Sequence, residues 1–207
     1  MSLPAPKFSQ ADVTVSQRET LYDGFFRMER LRLQHALFEG ETASMLSREL
    51  FVRDDAVCVL LYDPRRDAVV LVEQFRIGAL DDEHSPWLLE LVAGIVEPGE
   101  DCADVARREA AEEAAATLGR MENICRYHVS PGGSREVIHL LCAEVDSSGL
   151  GGVHGLADEG EDILVHVVDR ADAYQGVVTG RINNAATIMA LQWLQLNSGR
   201  LRMAWGA

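Results

Sequence analysis

Basic residues are scarce in this sequence. Lysine and arginine together number 19, against 33 aspartates and glutamates, which gives a formal net charge of −14 at pH 7 and an isoelectric point near 4.8. Proteins that bind duplex nucleic acid or anionic membranes need a basic footprint. The composition therefore predicts neither a nucleic-acid partner nor a membrane partner. An anionic ligand would have to be met locally, by arginines or by a cation.

Closely spaced cysteines and long apolar runs are also lacking. The four cysteines, at positions 58, 102, 125 and 142, form no CxxC pair, which favours buried reduced thiols and a reducing cytoplasm over a disulfide or a zinc site. No apolar run approaches the ~18 residues of a membrane span, and "MSLPAPKFSQ" lacks the apolar core of a signal peptide. We expect a cytoplasmic globular protein, in keeping with a hydrophobic content of 47%.

Period-two alternation and turn signals predict the strands. From about residue 10 to residue 53, apolar and charged residues interleave as in half-buried strands, with a turn at "EGET". The continuous apolar runs of "AVCVLLYD" and "AVVLVEQFRI", joined by a turn at "PRRD", predict a hairpin of central strands that are covered on both faces. Further strands are expected at Trp87–Val96, Cys125–Val129, Val137–Val145 and Ile163–Val168.

Apolar periodicity and capping residues predict three helices, at Cys102–Leu118, Ala171–Thr179 and Asn184–Asn197. Asp101 and Asp169 stand at N-cap positions, and Gly119 and Gly180 stand where C′ glycines belong. Strands with helices on both sides predict an α/β fold, namely an α/β/α sandwich with a mixed sheet. The expected organisation is an N-terminal antiparallel β region, residues 1–53, ahead of an α/β domain, residues 54–207.

The first helix and the loop before it carry an unusual density of acids. "AGIVEPGEDCADVARREAAEEA", from Ala93 to Ala114, contains seven acidic residues. At about 100° per residue, Glu109, Glu112 and Glu113 share one side of the helix, where like charges repel. One interpretation is a solvated acidic face that pairs of arginine and glutamate relieve. The other is a hard-oxygen site for Mg²⁺ or Mn²⁺, since the tight loop with Gly94 places Glu100 at the helix entrance.

The spacing of these residues resembles the Nudix box, G-x5-E-x7-R-E-U-x-E-E-x-G-U, in which U is a bulky aliphatic residue. The matching positions are Gly94, Glu100, Arg108, Glu109, Glu112 and Glu113. Three positions depart from the pattern, because Ala115 replaces the last glycine, and Ala110 and Ala116 stand where larger aliphatic residues are usual. Alanine keeps good helix propensity, so we expect these changes to affect the packing behind the helix more than a metal site.

Beyond the box, the chain from about Val13 to its C-terminus is similar to the bacterial ADP-ribose pyrophosphatase branch of the Nudix hydrolases. The similarity extends through "RETLYDGFF", "PWLLELVAG", "VARREAAEEA", "SPGGSRE", "HGLADEGEDI" and "NNAATIMALQWLQL". The resemblance implies a homodimer, in which the N-terminal β region exchanges with the second subunit and the substrate lies between the two protomers.

The resemblance also implies a set of metal ligands. Glu109 and Glu113, one helical turn apart, would bind the metals directly, together with the backbone carbonyl of Ala93 and the side chain of Glu161. Glu159, two residues before Glu161, would be the general base.

Three further residues of the box receive supporting roles from the resemblance. Glu100 and Glu112 would bind a secondary metal or orient the ligand, and Arg108 would hold Glu109 or a neighbour in place. Other Nudix enzymes place their base on the helix, so Glu112 remains an alternative for that role. The run "DEGED" that holds Glu159 could equally be a solvated acidic loop.

The substrate contacts implied by the resemblance lie elsewhere in the chain. Arg76 would meet the terminal ribose phosphate side, and Glu136 would be an acid of the ligand site. From the N-terminal region of the partner subunit, Phe25 would stack on adenine and Arg48 would contact the adenine side. Without the resemblance, the two arginines would be interpreted as surface residues and Phe25 as part of a core. "SPGGS" could cradle a phosphate through its backbone N–H groups, but a plain turn explains it as well.

The implied reaction is Mg²⁺-dependent hydrolysis of the diphosphate of ADP-ribose, with Mn²⁺ as a possible substitute. Metal ions would turn the acidic cluster into a receptor for the diphosphate and activate a water molecule, and the products would be AMP and ribose 5-phosphate. Two alternatives stay open. One is hydrolysis of another nucleoside diphosphate sugar such as GDP-mannose, and the other is a non-catalytic nucleotide-sugar sensor on the same scaffold.

Overall fold

The computed structural model describes residues 2–156, 158 and 160–206 and divides the chain into two compact units. The N-terminal unit comprises residues up to Asp54 together with His128–Glu136. The α/β unit comprises Asp55–Tyr127 and the residues from Val137 onward. No helix of the described residues is long and apolar enough to cross a membrane.

The N-terminal unit is built on a three-stranded antiparallel sheet with the order β1-β2-β3. Its strands are β1 (Val13–Asp23), β2 (Arg27–His35) and β3 (Leu46–Val52), and a 3-10 turn at Gln10–Asp12 precedes them. Residues Ala36 and Thr42 pair across the connection that contains "EGET". Strand β1 lies at the edge of this sheet and is exposed along its whole length instead of half-buried.

The α/β unit contains one mixed sheet of eight strands. Six of them follow the order β10-β11-β5-β4-β9-β8, while β6 pairs with β5 and β7 pairs with β4. The parallel pair is β4 with β9, and β4 is antiparallel to both β5 and β7. The strands are β4 (Ala56–Asp63), β5 (Ala68–Phe75), β6 (Trp87–Glu90), β7 (Val92–Ile95), β8 (Met121–His128), β9 (Val137–Glu144), β10 (Gly152–His154) and β11 (Ile163–Asp169).

Two hydrophobic cores lie on the two faces of this sheet. Successive residues of β4 and β5 alternate between them, because side chains along a strand point to opposite faces. Val57, Val59 and Val70 pack with the first helix, whereas Cys58, Leu60 and Leu71 pack with the second and third helices. The predicted hairpin of central strands and the predicted α/β/α sandwich are therefore confirmed.

The helices are α1 (Cys102–Ala114), α2 (Arg170–Thr179) and α3 (Ala185–Trp205). Asp101 caps α1 by accepting a hydrogen bond from the backbone N–H of Ala103, and Gly180 ends α2 in the left-handed conformation, as predicted. The side chain of Asp169 stands at the N-cap of α2 but makes no capping hydrogen bond. Helix α3 runs eight residues beyond the predicted end at Asn197, since buried Leu201 and Trp205 continue its apolar face.

The prediction that α1 reaches Leu118, with Gly119 as its C′ residue, is wrong. The helix ends at Ala114, and Ala115 adopts the left-handed conformation with φ 49° and ψ 30°. The backbone N–H of Ala115 bonds to the carbonyl of Ala111, as in an αL helix cap, and the N–H of Ala116 bonds to the carbonyl of Ala110. Gly119 instead pairs through its N–H with the carbonyl of Glu144, so it belongs to the following connection.

Candidate active site

Helix α1 brings Glu109 against strand β7 at a position where only glycine leaves room. A Cβ atom added at Gly94 would lie 2.4 Å from the carboxylate oxygen Oε1 and from Cγ of Glu109. Arg108 holds the same carboxylate, with 2.7 Å between its Nη1 and Oε1 of Glu109. The first glycine of the box therefore permits the close approach of a glutamate to the sheet.

Glu113 is the most deeply buried carboxylate of the cluster, with 4% of its surface exposed. Its Oε2 accepts a hydrogen bond of 3.2 Å from the backbone N–H of Ala93. Burial, together with the negative charges of Glu109 and Glu161, raises the pKa of this carboxyl to about 8, against the lowering effects of the Ala93 N–H and of Arg76. Strand β7 and helix α1 thus position a carboxyl that resists ionisation until a positive charge arrives.

Glu161 comes from the loop before β11, and its charge acts on Glu113. Its Oε2 accepts a hydrogen bond of 3.0 Å from the backbone N–H of Leu156, which closes the loop on itself. Gly155 makes this possible, because its φ is +100° and an added Cβ would lie 2.7 Å from Cβ of Glu161. Glu159, the expected general base, lies outside the described residues.

The other residues of the box lie around this cluster. Glu112 is within 3.8 Å of Arg108, and its side chain is 33% exposed. Glu100 is exposed and closes the turn before the helix, since its Oε2 accepts a hydrogen bond of 2.9 Å from the backbone N–H of Glu97. Arg108 therefore reduces the repulsion between the acids of the helix face, and it lies closer to Glu109 than to Glu112.

Arg76 follows strand β5 and is close enough for its charge to lower the pKa of Glu113. Its Nε donates a hydrogen bond of 2.7 Å to Oε2 of Glu90. Glu90 is a further residue beside the site that was not predicted. It stands two positions after Leu88 in "WLLEL", so period-two alternation places both side chains on one face of the strand.

The remaining predicted contacts belong to the N-terminal unit. Phe25 is 90% exposed in the turn between β1 and β2, and its ring packs edge-on against Phe26. Arg48 is exposed on β3. Glu136 is buried, and its Oε1 lies 3.4 Å from Nη2 of Arg53, an ion pair that was not predicted. Phe25 is therefore not a core residue, and the ligand roles of these residues stay predictions.

The carboxylates of Glu109, Glu113 and Glu161 are the chemistry that fits a hard divalent cation, because Mg²⁺ and Mn²⁺ prefer oxygen ligands. Each carboxylate is turned to its own donor, namely Arg108, the Ala93 N–H and the Leu156 N–H. Consistently, no three His, Cys, Asp or Glu side chains of the described ranges are already arranged around a metal position. A buried acid beside two like charges is nonetheless the arrangement that a cation stabilises. A cavity of about 320 Å³ near Asp63 and Glu144 contains none of these residues.

The fold and the box together define a class of protein. A model of the NUDIX domain matches residues 52–198, which include β7, α1 and the loop of Glu161. The chain belongs to the NUDIX family.

Particular relatives are similar along nearly the whole chain. ADP-ribose pyrophosphatase of Escherichia coli (strain K12) is 50% identical over 198 residues, covering 96% of this chain and 95% of that protein. ADP-ribose pyrophosphatase of Haemophilus influenzae is 47% identical over 201 residues, covering 96% and 93%. GDP-mannose pyrophosphatase of Escherichia coli is 29% identical over 186 residues, covering 89% and 96%. The fold matches that of an ADP compounds hydrolase with a TM-score of 0.69 at 20% identity, covering 95% of this chain and 100% of that one.

Proposed function

We propose that the protein hydrolyses the diphosphate of ADP-ribose to AMP and ribose 5-phosphate in a reaction that depends on Mg²⁺. The observation that carries this proposal is the 50% identity to an ADP-ribose pyrophosphatase over 96% of the chain. The acids support it, since the negative charges of Glu109 and Glu161 both act on the buried carboxyl of Glu113.

Glu109, Glu113 and Glu161 would hold magnesium, which would offset charge on the diphosphate and ease removal of a proton from the attacking water. The chain's own residues have separate tasks. Arg108 holds the carboxylate of Glu109, and the Ala93 N–H holds that of Glu113. Both carboxylates are therefore oriented before a ligand arrives, which lowers the cost of reorganisation.

The reaction also requires positive charge beside the substrate and a base that accepts the proton of the water. Arg76 supplies positive charge beside the carboxylates, where an anionic phosphate would otherwise be repelled. Glu159 is our candidate for the base that accepts the proton from the water, with Glu112 as the alternative. Phe25 and Arg48, supplied by the N-terminal unit of the partner subunit, would recognise adenine, and Glu136 would be an acid of the ligand site.

The experiment that tests this function is product analysis on a panel of nucleoside diphosphate sugars with Mg²⁺. Release of AMP and ribose 5-phosphate from ADP-ribose, at a higher kcat/KM than for the other sugars, is the expected result. GDP-mannose is the second candidate because of the 29% identical relative, and preferential release of GMP would favour it. Failure to hydrolyse any member of the panel would support a non-catalytic sensor.

A further inference from the structure

Three side chains share one face of the sheet beside the carboxylate cluster. Gln74 on β5 stands opposite Leu88 on β6, and Glu90 stands opposite Val72. Arg76 continues the pairing, since its backbone is extended and its N–H bonds to the carbonyl of Pro86 at 2.8 Å. Because side chains alternate along a strand, Gln74, Arg76 and Glu90 point to the face of Val72, which is the face covered by helix α1.

The ion pair of Arg76 and Glu90 crosses this face diagonally, over the pair of Gln74 and Leu88. Glu90 accepts from Nε of Arg76 at 2.7 Å, and its side chain is only 17% exposed. Among the described residues, no acceptor is within hydrogen-bonding distance of either Nη atom of Arg76. The guanidinium is thus held by one edge, and its two Nη groups remain available for an oxyanion, which they can bind in a forked geometry.

Gln74 presents a donor without an acceptor. Its side chain is buried, with 7% of the residue exposed, and its Nε2 has no hydrogen-bond partner within the described part of the chain. A buried amide that lacks its partner is costly, and an apolar residue would continue the row of Val70 and Val72 at no such cost. The amide therefore lacks a structural explanation and points to an acceptor that arrives with a ligand.

We propose that Gln74 and Arg76 form one donor set for a phosphate group of the substrate, and that Glu90 is the positioning residue that holds Arg76 in it. The proposal rests on the proposed function, because a nucleoside diphosphate supplies the phosphate. The donor set lies on the same face of the sheet as the carboxylate cluster, because Glu109 packs on Gly94, which stands opposite Val57 on that face. A phosphate bound there accepts from the Nη groups of Arg76 and from the amide of Gln74, while Glu90 keeps Nε.

Variants of Glu90 test the positioning role. Glu90→Leu should raise KM for ADP-ribose by about tenfold or more with a smaller change in kcat, whereas Glu90→Gln, which retains an acceptor for Nε, should restore most of the affinity. In an Arg76→Ala background, Glu90→Leu should have no further effect on KM. Glu122→Gln, in the exposed pair with Arg200, is the matched control and should leave KM unchanged. Equal effects of Glu90→Leu with and without Arg76 would overturn the role.

Variants of Gln74 test the donor role because stability should rise while affinity for the substrate falls. Gln74→Met should raise the melting temperature by about 2–4 °C, because it removes an unpaired buried donor, and it should raise KM by about tenfold. Gln34→Met is the control for stability, since Nε2 of Gln34 already donates to Ala43, and it should lower the melting temperature. An unchanged KM for Gln74→Met would overturn the assignment of its amide to the ligand.

The substrate panel separates this proposal from the proposed function. If the wild-type protein prefers another nucleoside diphosphate sugar, the ADP-ribose proposal fails, but the same pattern of KM values is expected with that sugar, because the phosphates are shared. If no sugar is hydrolysed, calorimetric titration of ADP-ribose gives the dissociation constants. Weaker binding by Glu90→Leu and Gln74→Met would then support the donor set, and unaltered binding would refute it.

Discussion

At the scale of single residues, Glu113 shows how the fold prepares a ligand position. Its carboxyl is buried against β7, and the charges of Glu109 and Glu161 add to the effect of burial, so its pKa rises to about 8. A divalent cation would reverse this electrostatic situation, because it favours the ionised form of each acid that it contacts. Burial and neighbouring negative charge are therefore the properties expected of a cation ligand. They distinguish Glu113 from the more exposed Glu112.

The identity of the general base is a prediction at this scale. We expect Glu159→Gln to lower kcat by at least ~10²-fold with substrate affinity nearly kept, and Glu112→Gln to cost less, because proton abstraction is a transition-state interaction. Both variants are measured side by side at saturating Mg²⁺. If Glu112→Gln proves the more damaging change, the base belongs to helix α1 and the loop of Glu159 serves binding.

At the scale of secondary-structure elements, the end of α1 explains the glycine of the box pattern. Ala115 stands at that position and adopts a left-handed conformation, which L-residues other than glycine, asparagine and aspartate rarely adopt. Helix propensity therefore does not govern the effect of alanine at this position, since Ala115 ends the helix instead of continuing it. The consequence is backbone strain at Ala115.

Ala115→Gly should stabilise the protein. Relief of the left-handed conformation should add about 1 kcal/mol to the free energy of unfolding, which corresponds to a melting temperature higher by about 2–4 °C. Ala111→Gly, at a solvent-exposed position within the same helix, is the matched control and should lower the free energy of unfolding by about 1 kcal/mol. Calorimetry checks both variants, and a lower melting temperature for Ala115→Gly would contradict the account of the helix end.

The hairpin of β4 and β5 gives a prediction on pH. Buried Asp63 accepts hydrogen bonds from the backbone N–H and hydroxyl of Ser147 and from the N–H groups of Arg65 and Arg66. Burial alone would raise the pKa of Asp63, but these hydrogen bonds outweigh it and lower the pKa. A carboxyl with a lowered native pKa stabilises the fold above its unfolded pKa of about 3.9, and this contribution is lost as pH falls through the native value.

Asp63→Asn should therefore destabilise the protein at pH 7 by about 1–3 kcal/mol and flatten the loss of stability below about pH 4. Urea unfolding at a series of pH values measures both effects. Asp81→Asn, at an exposed position, is the control and should reproduce the wild-type profile. An acid profile of Asp63→Asn parallel to that of the wild type would assign the acid sensitivity to other groups.

The sequence predicted what depends on short-range patterns. Continuous apolar runs located β4 and β5, and the spacing of the box located the acids on α1, because each signal is contained in a short stretch of sequence. The long-range pairs were not predictable in this way. Glu90 lies 14 residues from Arg76 in the chain and meets it only through the register of β5 and β6. The short strand β10 was also missed, since three residues with glycine carry no periodicity.

At the scale of the whole molecule, the assembly is a prediction. The resemblance implies exchange of the N-terminal β region between subunits, and β1 is exposed along its whole length in the single chain. We expect a homodimer with a closed two-fold interface, the common arrangement among soluble oligomers. Light scattering at micromolar concentration should give about twice the chain mass of 22.8 kDa. A fully active protein with the mass of one chain would contradict the exchange.

The central claim is that acids of α1 hold the metal required for hydrolysis of ADP-ribose, and Glu113→Gln tests it most directly. The amide is nearly isosteric but cannot neutralise a divalent ion, so this variant should keep the fold and lose most turnover at saturating Mg²⁺. Asp104→Asn, at an exposed position of the same helix, is the control and should keep wild-type turnover. The measurement is the rate of AMP release from ADP-ribose by the three proteins, with circular dichroism to verify folding. Wild-type AMP release by folded Glu113→Gln would contradict the account.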